Sequence, residues 1–115
     1  MYTGHIINDG EINDVDRIVI NSRSGKALDL EASLKHVNHS PTGFCWGYYG
    51  SGPAQLAFAI LLDHLNGDVD RAKSLYQDFK SKVIARLPMD ENFVLTDEQV
   101  ESAITDIDIE RMQRA

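Results

Sequence analysis

The sequence predicts an α+β fold: an N-terminal antiparallel β-hairpin or small sheet packed on a buried central helix, followed by a helical hairpin and a C-terminal amphipathic helix. Three observations lead there. β-Branched residues gather before residue 31, the run Ala54–Leu62 is apolar except for Gln55, and apolar residues beyond it recur every three or four positions. At 115 residues the chain suits one domain, 1–115, around one core.

In chain order, "DRIVINS" (Asp16–Ser22) and "KALDL" (Lys26–Leu30) read as the strands of a hairpin. "SRSG" joins them, and its Gly25 tolerates a positive φ. "YTGHII" is a further strand candidate, and residues Glu31–Ser40 fit either a short helix or an irregular crossover. Ser40-Pro41-Thr42-Gly43 is a turn. The central helix is expected from Pro53 to Leu65, capped by Ser51 or Gly52, because Pro fits a first turn whose N–H has no intrahelical partner. Asn66-Gly67 ends it, with Gly67 in the left-handed position. Asp68 caps a second helix reaching Leu87, with Asp78 and Lys82 as a surface pair, and Pro88 stops it. "NFVL" (Asn92–Leu95) is a short strand. Thr96 and Gln99 then form a capping box for a third helix, Asp97 to about Met112, burying Val100, Ala103, Ile104 and Ile107.

The net charge is −7 and it is uneven. Residues 1–62 carry six acids and four bases, a net of −2; residues 63–115 carry twelve and seven, a net of −5. From Pro88 to Glu110 there are eight acids and no Lys or Arg. Nucleic-acid binders neutralise phosphates with basic residues, so direct nucleic-acid binding is disfavoured. The longest apolar run is less than half a membrane span, the first residues lack the parts of a signal peptide, and one cysteine forms no internal disulfide. The expectation is a cytoplasmic protein with no membrane contact.

Four groups of residues invite a chemical reading. Gly47-Tyr48-Tyr49-Gly50-Ser51-Gly52-Pro53 opens a helix as anion-binding turns do. However, Pro53 and Ala54 stand where a P-loop needs Lys and then Ser or Thr. The same glycines equally suit a tight turn bringing the chain close to the buried helix. Trp46, Tyr48 and Tyr49, with Ser51 and Gly52, are the candidate ligand-binding residues. Trp46 and the tyrosines equally suit the closing of one end of the core, although adjacent Tyr48 and Tyr49 cannot both point inward from extended backbone. His36, His39 and Cys45, with His5 further away, are a poor match to structural zinc spacing, so no metal site is assigned. Asp63 and His64 match no catalytic spacing, and nothing else argues for an enzyme or a cofactor. Asp97, Glu98, Glu101, Asp106, Asp108 and Glu110 are either a partner-binding surface or a solvated face that keeps the chain soluble.

The runs "SPTGFCWGYYGSGPAQLAFAILLDHL", "LYQDFKSKVIARLP" and "FVLTDEQV" resemble a family of small uncharacterised proteins of bacteria, archaea and their phages, plasmids and integrated elements. The resemblance covers most of residues 18–104 and is tightest at Gly43–Leu62, as GFxWGYxGSGPAQLA. It implies a coherent small domain of mobile-element origin and transfers no catalytic or ligand residue. Cys45 and Tyr49 depart from the expected pattern, which counts against Cys45 as nucleophile or metal ligand.

The function expected from these observations is non-enzymatic protein binding, in its specific form an inhibitor encoded by a phage or mobile element. Its acids would occupy the basic nucleic-acid channel of a host factor. The alternative is a small-ligand or nucleotide-binding protein using loop 46–53, and a homodimer joined through an exposed aromatic is a third reading.

Overall fold

The β-branched run Ile18–Ile20 lies in the second strand of a four-stranded antiparallel sheet, in a computed structural model that describes residues 1–8 and 15–114. Strands β1 (Tyr2–Asn8), β2 (Val15–Asn21), β3 (Lys26–Ala27) and β4 (Phe93–Leu95) are arranged β3-β2-β1-β4. The α+β expectation holds.

The main hairpin differs from the expected one. Tyr2 pairs with Asn21 and the register continues to Asn8 and Val15, so "YTGHII" forms its first strand. The pairing expected between Asp16–Ser22 and Lys26–Leu30 is reduced to Ile20 with Ala27 and Asn21 with Lys26, followed by one bond from Leu28 N–H to Val19 O at 2.8 Å. Asp29 is the physical reason. Its carboxylate accepts the Ala32 N–H at 3.2 Å and starts helix α1 (Leu30–Leu34), so the pairing cannot run past Leu28. Tyr2, Gly4, Val19, Phe93 and Leu95 are buried, whereas Val94, between two buried neighbours, is exposed as alternation requires.

Helix α2 (Ser51–His64) is the centre of the core and is buried from Gly52 to Leu61. It begins two residues earlier than expected. Gly50 is the N-cap, with no side-chain hydrogen bond, and the expected caps Ser51 and Gly52 lie inside the first turn. At its other end Gly67 has the expected left-handed backbone at φ 86°, and Asn66 before it, at φ 56°, shares that conformation. Asn66 N–H donates to Asp63 O and Gly67 N–H to Leu62 O, at 3.2 and 2.8 Å, which satisfies the last carbonyls.

Helix α3 (Val69–Lys82) is capped by Asp68 as expected, through the Arg71 N–H at 3.1 Å. It stops short of Leu87: a 3-10 turn, Ile84–Arg86, follows, and Leu87 is extended before Pro88. Helix α4 (Asp97–Arg114) has the reciprocal Thr96–Gln99 capping box and buries Val100, Ala103, Ile104 and Ile107. No described helix is long and apolar enough to cross a membrane.

Candidate functional site

The glycine loop is filled by the protein itself. A Cβ on Gly47 would lie 2.5 Å from the Met89 Cα, one on Gly50 2.3 Å from the Tyr48 ring, and one on Gly52 2.8 Å from the Cys45 Cβ. Gly47 also needs its φ of +89° and donates its N–H to Ile84 O at 3.0 Å. Gly47 lets the loop close on Ile84 and Met89, and Gly50 and Gly52 let it fold tightly on its own Tyr48 and Cys45. Trp46 is fully buried, donates Nε1–H to Glu91 O at 3.0 Å and meets the Phe93 ring edge-on at 4.8 Å. The Arg17 guanidinium lies 4.7 Å from the centre of the Trp46 ring. Its Nη1 is buried with no partner among the described residues.

Both tyrosines face solvent, Tyr48 at 41% and Tyr49 at 67% exposure, with Met89 exposed beside Gly47. Burial first, and then Cys45, hold the Tyr48 phenol above its ordinary range, with Arg17 opposing. Ser51 is exposed and Gly52 is buried at the start of α2.

Most of the acidic run is paired within the chain. Asp97 meets the Met1 ammonium at 2.9 Å and Arg23 at 2.7 Å, which hold its carboxyl below the usual range. Asp108 meets Arg71 at 2.6 Å, Glu110 meets Lys82 at 2.5 Å, and Glu101 meets His64 Nε2. The hydrogen bond from Arg71 likewise lowers the Asp108 carboxyl. The expected Asp78–Lys82 pair is absent: Lys82 turns to Glu110, and Asp78 receives Arg111 at 3.1 Å. Arg111 also donates to Ser74 Oγ and Ser74 O. Thus Asp108 and Glu110, which gain nothing from the helix dipole, fasten α4 to α3. Glu98 and Asp106 are exposed and make no ion pair among the described residues.

The histidines do not gather around Cys45. His39 hydrogen-bonds the Tyr76 hydroxyl at 2.8 Å and His36 packs against Phe58. No group of three metal-ligating side chains occurs among the described residues.

Sequence reasoning missed two polar centres. The first is Gln55, fully buried in α2. Its Oε1 accepts the His39 and Ser40 N–H groups at 2.9 and 3.2 Å. Its Nε2 donates to Ser33 Oγ and Val37 O at 2.8 and 2.9 Å. One side chain therefore organises the crossover after α1. Its signal was a lone amide in an apolar run, which demands partners.

The second centre lies at the C-terminal end of α2, where Tyr2, Asn21, Arg23, Asp63, His64 and Glu101 surround a cavity of about 560 Å³. Tyr2 OH and Asn21 Nδ2 both donate to Asp63 Oδ2 at 2.7 Å. Burial, and then the bond to Asp63, push the Tyr2 phenol far above its ordinary value, so it stays a neutral donor. His64 is largely buried and its Nδ1 has no partner among the described residues. The tautomer with its proton on Nε2, donating to Glu101, leaves no buried N–H unpaired. Adjacent Asp63 and His64 gave no sign of this in sequence, because their partners come from β1, β2 and α4.

No match was found among curated proteins or among solved structures. One family model matches residues 2–106, and this span takes in all four strands, helices α1 to α3, both polar centres and the first part of α4. The chain belongs to that family, described as a family of unknown function (DUF6166).

Proposed function

We propose that the chain is a non-catalytic binding protein that contacts another protein through its aromatic end. The supporting observation is the exposure of Tyr48 and Tyr49, with Met89, on a loop whose glycines are filled by packing. Tyrosine supplies large contact area with two torsions to freeze, so a rigid pair loses little entropy on binding. A quantitative pull-down with the wild type and with Tyr48→Ala/Tyr49→Ala tests it. Loss of the captured partner in a variant with unchanged circular dichroism supports the reading, and equal capture sinks it. Light scattering separates it from homodimerisation, which predicts a dimer mass lost in the same variant.

The inhibitor encoded by a phage or plasmid is a specific form of this reading, in which acids meet a basic channel. Glu98 and Asp106 are the acids to reverse, since changing Asp108 or Glu110 would also break the α3–α4 contacts. Capture that falls with salt and with Glu98→Lys/Asp106→Lys supports that form. Capture indifferent to both removes it.

One observation favours the alternative of a small anionic ligand or nucleotide at loop 46–53: the buried Arg17 Nη1 beside Trp46, which has no partner among the described residues. A thermal shift with nucleotides or phosphorylated metabolites, absent in Arg17→Gln, is its expected mark. No shift at millimolar ligand removes it.

A further inference from the structure

A second cavity, of about 460 Å³, adjoins the polar one and shares Ser24, Asp63 and Asn66 with it. Its apolar lining includes Ala27, Leu28, Ala59 and Leu62, and its rim includes Lys26 and Asp29, of opposite sign. The two cavities together form a trough from an apolar stretch to a charged end.

The charges at that end do not cancel. Asp97 already engages both Arg23 and the Met1 ammonium. Asp63 receives only neutral donors, both on Oδ2, and its Oδ1 has no partner among the described residues. Glu101 meets His64 Nε2 and no Lys or Arg among the described residues, and its side chain is 62% exposed. Neither Asp63 nor Glu101 makes a salt bridge to a Lys or Arg among the described residues, and Asp63 is held in place by Tyr2 and Asn21. Arg23 nevertheless lines the same cavity and lies near enough to Asp63 for its charge to be felt. The protein as a whole carries −7, which favours the approach of cations.

We propose that this trough seats an arginine side chain presented on an extended segment of a partner protein. The guanidinium meets Asp63 and Glu101, and the aliphatic stem lies along Leu28, Ala59 and Leu62. Guanidinium fits better than ammonium, because it is planar, weakly hydrated and able to bridge two acceptors. A peptide fits better than a free amine, because Lys26 and Ala27, which line the trough, form an edge strand, and extended backbones add to such edges. This contact lies at the opposite end of α2 from Tyr48 and Tyr49, about 20 Å away along the helix, and does not depend on them.

Titrating isotope-labelled full chain with acetyl-Ala-Arg-Ala-amide, followed by amide NMR, tests the proposal. The expected result is saturable shifts at Ser24, Asp63, Asn66 and Glu101, with a dissociation constant of roughly 1 mM. Replacing the arginine with citrulline, of similar shape but uncharged, weakens binding at least about tenfold. Asp63→Asn does the same while keeping an acceptor for Tyr2 and Asn21, and Glu101→Gln, at an exposed position, weakens it about threefold or more. Tyr48→Ala/Tyr49→Ala leaves the titration unchanged, so failure of the aromatic contact and failure of this one are separable. Absence of saturable shifts, shifts centred on Glu98 and Asp106, or undiminished binding in the two charge-removing variants overturns the proposal.

Discussion

Replacing Gln55 with leucine keeps most of the side-chain volume and removes four hydrogen bonds at a fully buried position. The Val37 carbonyl, in a buried residue, loses its amide donor outright. The His39 and Ser40 N–H groups lose their acceptor but belong to residues with some exposure, so water offsets part of the loss. Ser33 Oγ keeps its bond to Leu30 O. At about 1–3 kcal/mol for each orphaned buried group, discounted for the two nearer water, the gross cost is about 3–5 kcal/mol. Burying leucine in place of an amide returns about 1 kcal/mol, leaving a net loss of about 2–4 kcal/mol. At an m of about 1.5 kcal/mol/M that lowers the urea midpoint by roughly 1–3 M.

Gln55→Glu sharpens the test. Its carboxylate still accepts from His39 and Ser40 but sets a second oxygen against the Val37 carbonyl, where a protonated carboxyl donates instead. The folded-state pKa of that carboxyl is therefore raised above its unfolded value. A raised pKa makes stability fullest below the unfolded pKa and erodes it as pH rises through the folded one. Urea curves for the variant relative to wild type should show a smaller deficit near pH 4 than at pH 7. A leucine variant losing under about 1 kcal/mol, or a pH-independent deficit in the glutamate variant, refutes the hub.

The remaining predictions are of the same kind. Because Tyr2 ionises far above the unfolded value of 10.0, its contribution is full below that value and declines as pH rises past it; Tyr2→Phe should flatten the alkaline limb of stability measured by urea unfolding. Gly47→Ala meets both a positive φ and the Met89 backbone, whereas Gly25→Ala meets a positive φ with nothing within 4 Å. The first should cost about 3 kcal/mol or more and the second about 1 kcal/mol, and equal midpoints would refute the packing argument. A double-mutant cycle on Arg71 and Asp108 should give a small favourable coupling that fades at high salt, and salt-independent coupling would contradict an exposed ion pair.

What could be read in advance was whatever is encoded within a few residues. The capping box at Thr96 and Gln99, the cap at Asp68 and the buried stripe Val100, Ala103, Ile104 and Ile107 are local patterns, and the fold has them. Asp29 misled the strand reading because a carboxylate in an alternating run is also a helix cap, and the cap prevailed. Ser51 misled the cap reading because the tight loop places Gly50 first, where the backbone is extended at φ −152°. The acidic run was opaque for a different reason. The partners of Glu101 and Asp108 lie 37 residues away on α2 and α3, outside any window of periodicity, so paired charge looked like free charge. Asp63 was hidden in the same way, with donors 61 and 42 residues distant on β1 and β2.

The sheet order β3-β2-β1-β4 makes the first strand of the chain an interior one, and this sets a schedule. Tyr2 and Gly4 find β2 early, but their other side waits for Leu95 and Phe93. During synthesis the β1–β2 hairpin leaves the ribosome with one long edge unsealed and Gly4 uncovered by the Phe93 ring that later presses on it. Closing a loop of that length comes before any gain from the contact, so the topology predicts that the β1–β4 pairing forms late. Until it forms, that side of β1 is an uncovered strand edge, open to pairing with another chain.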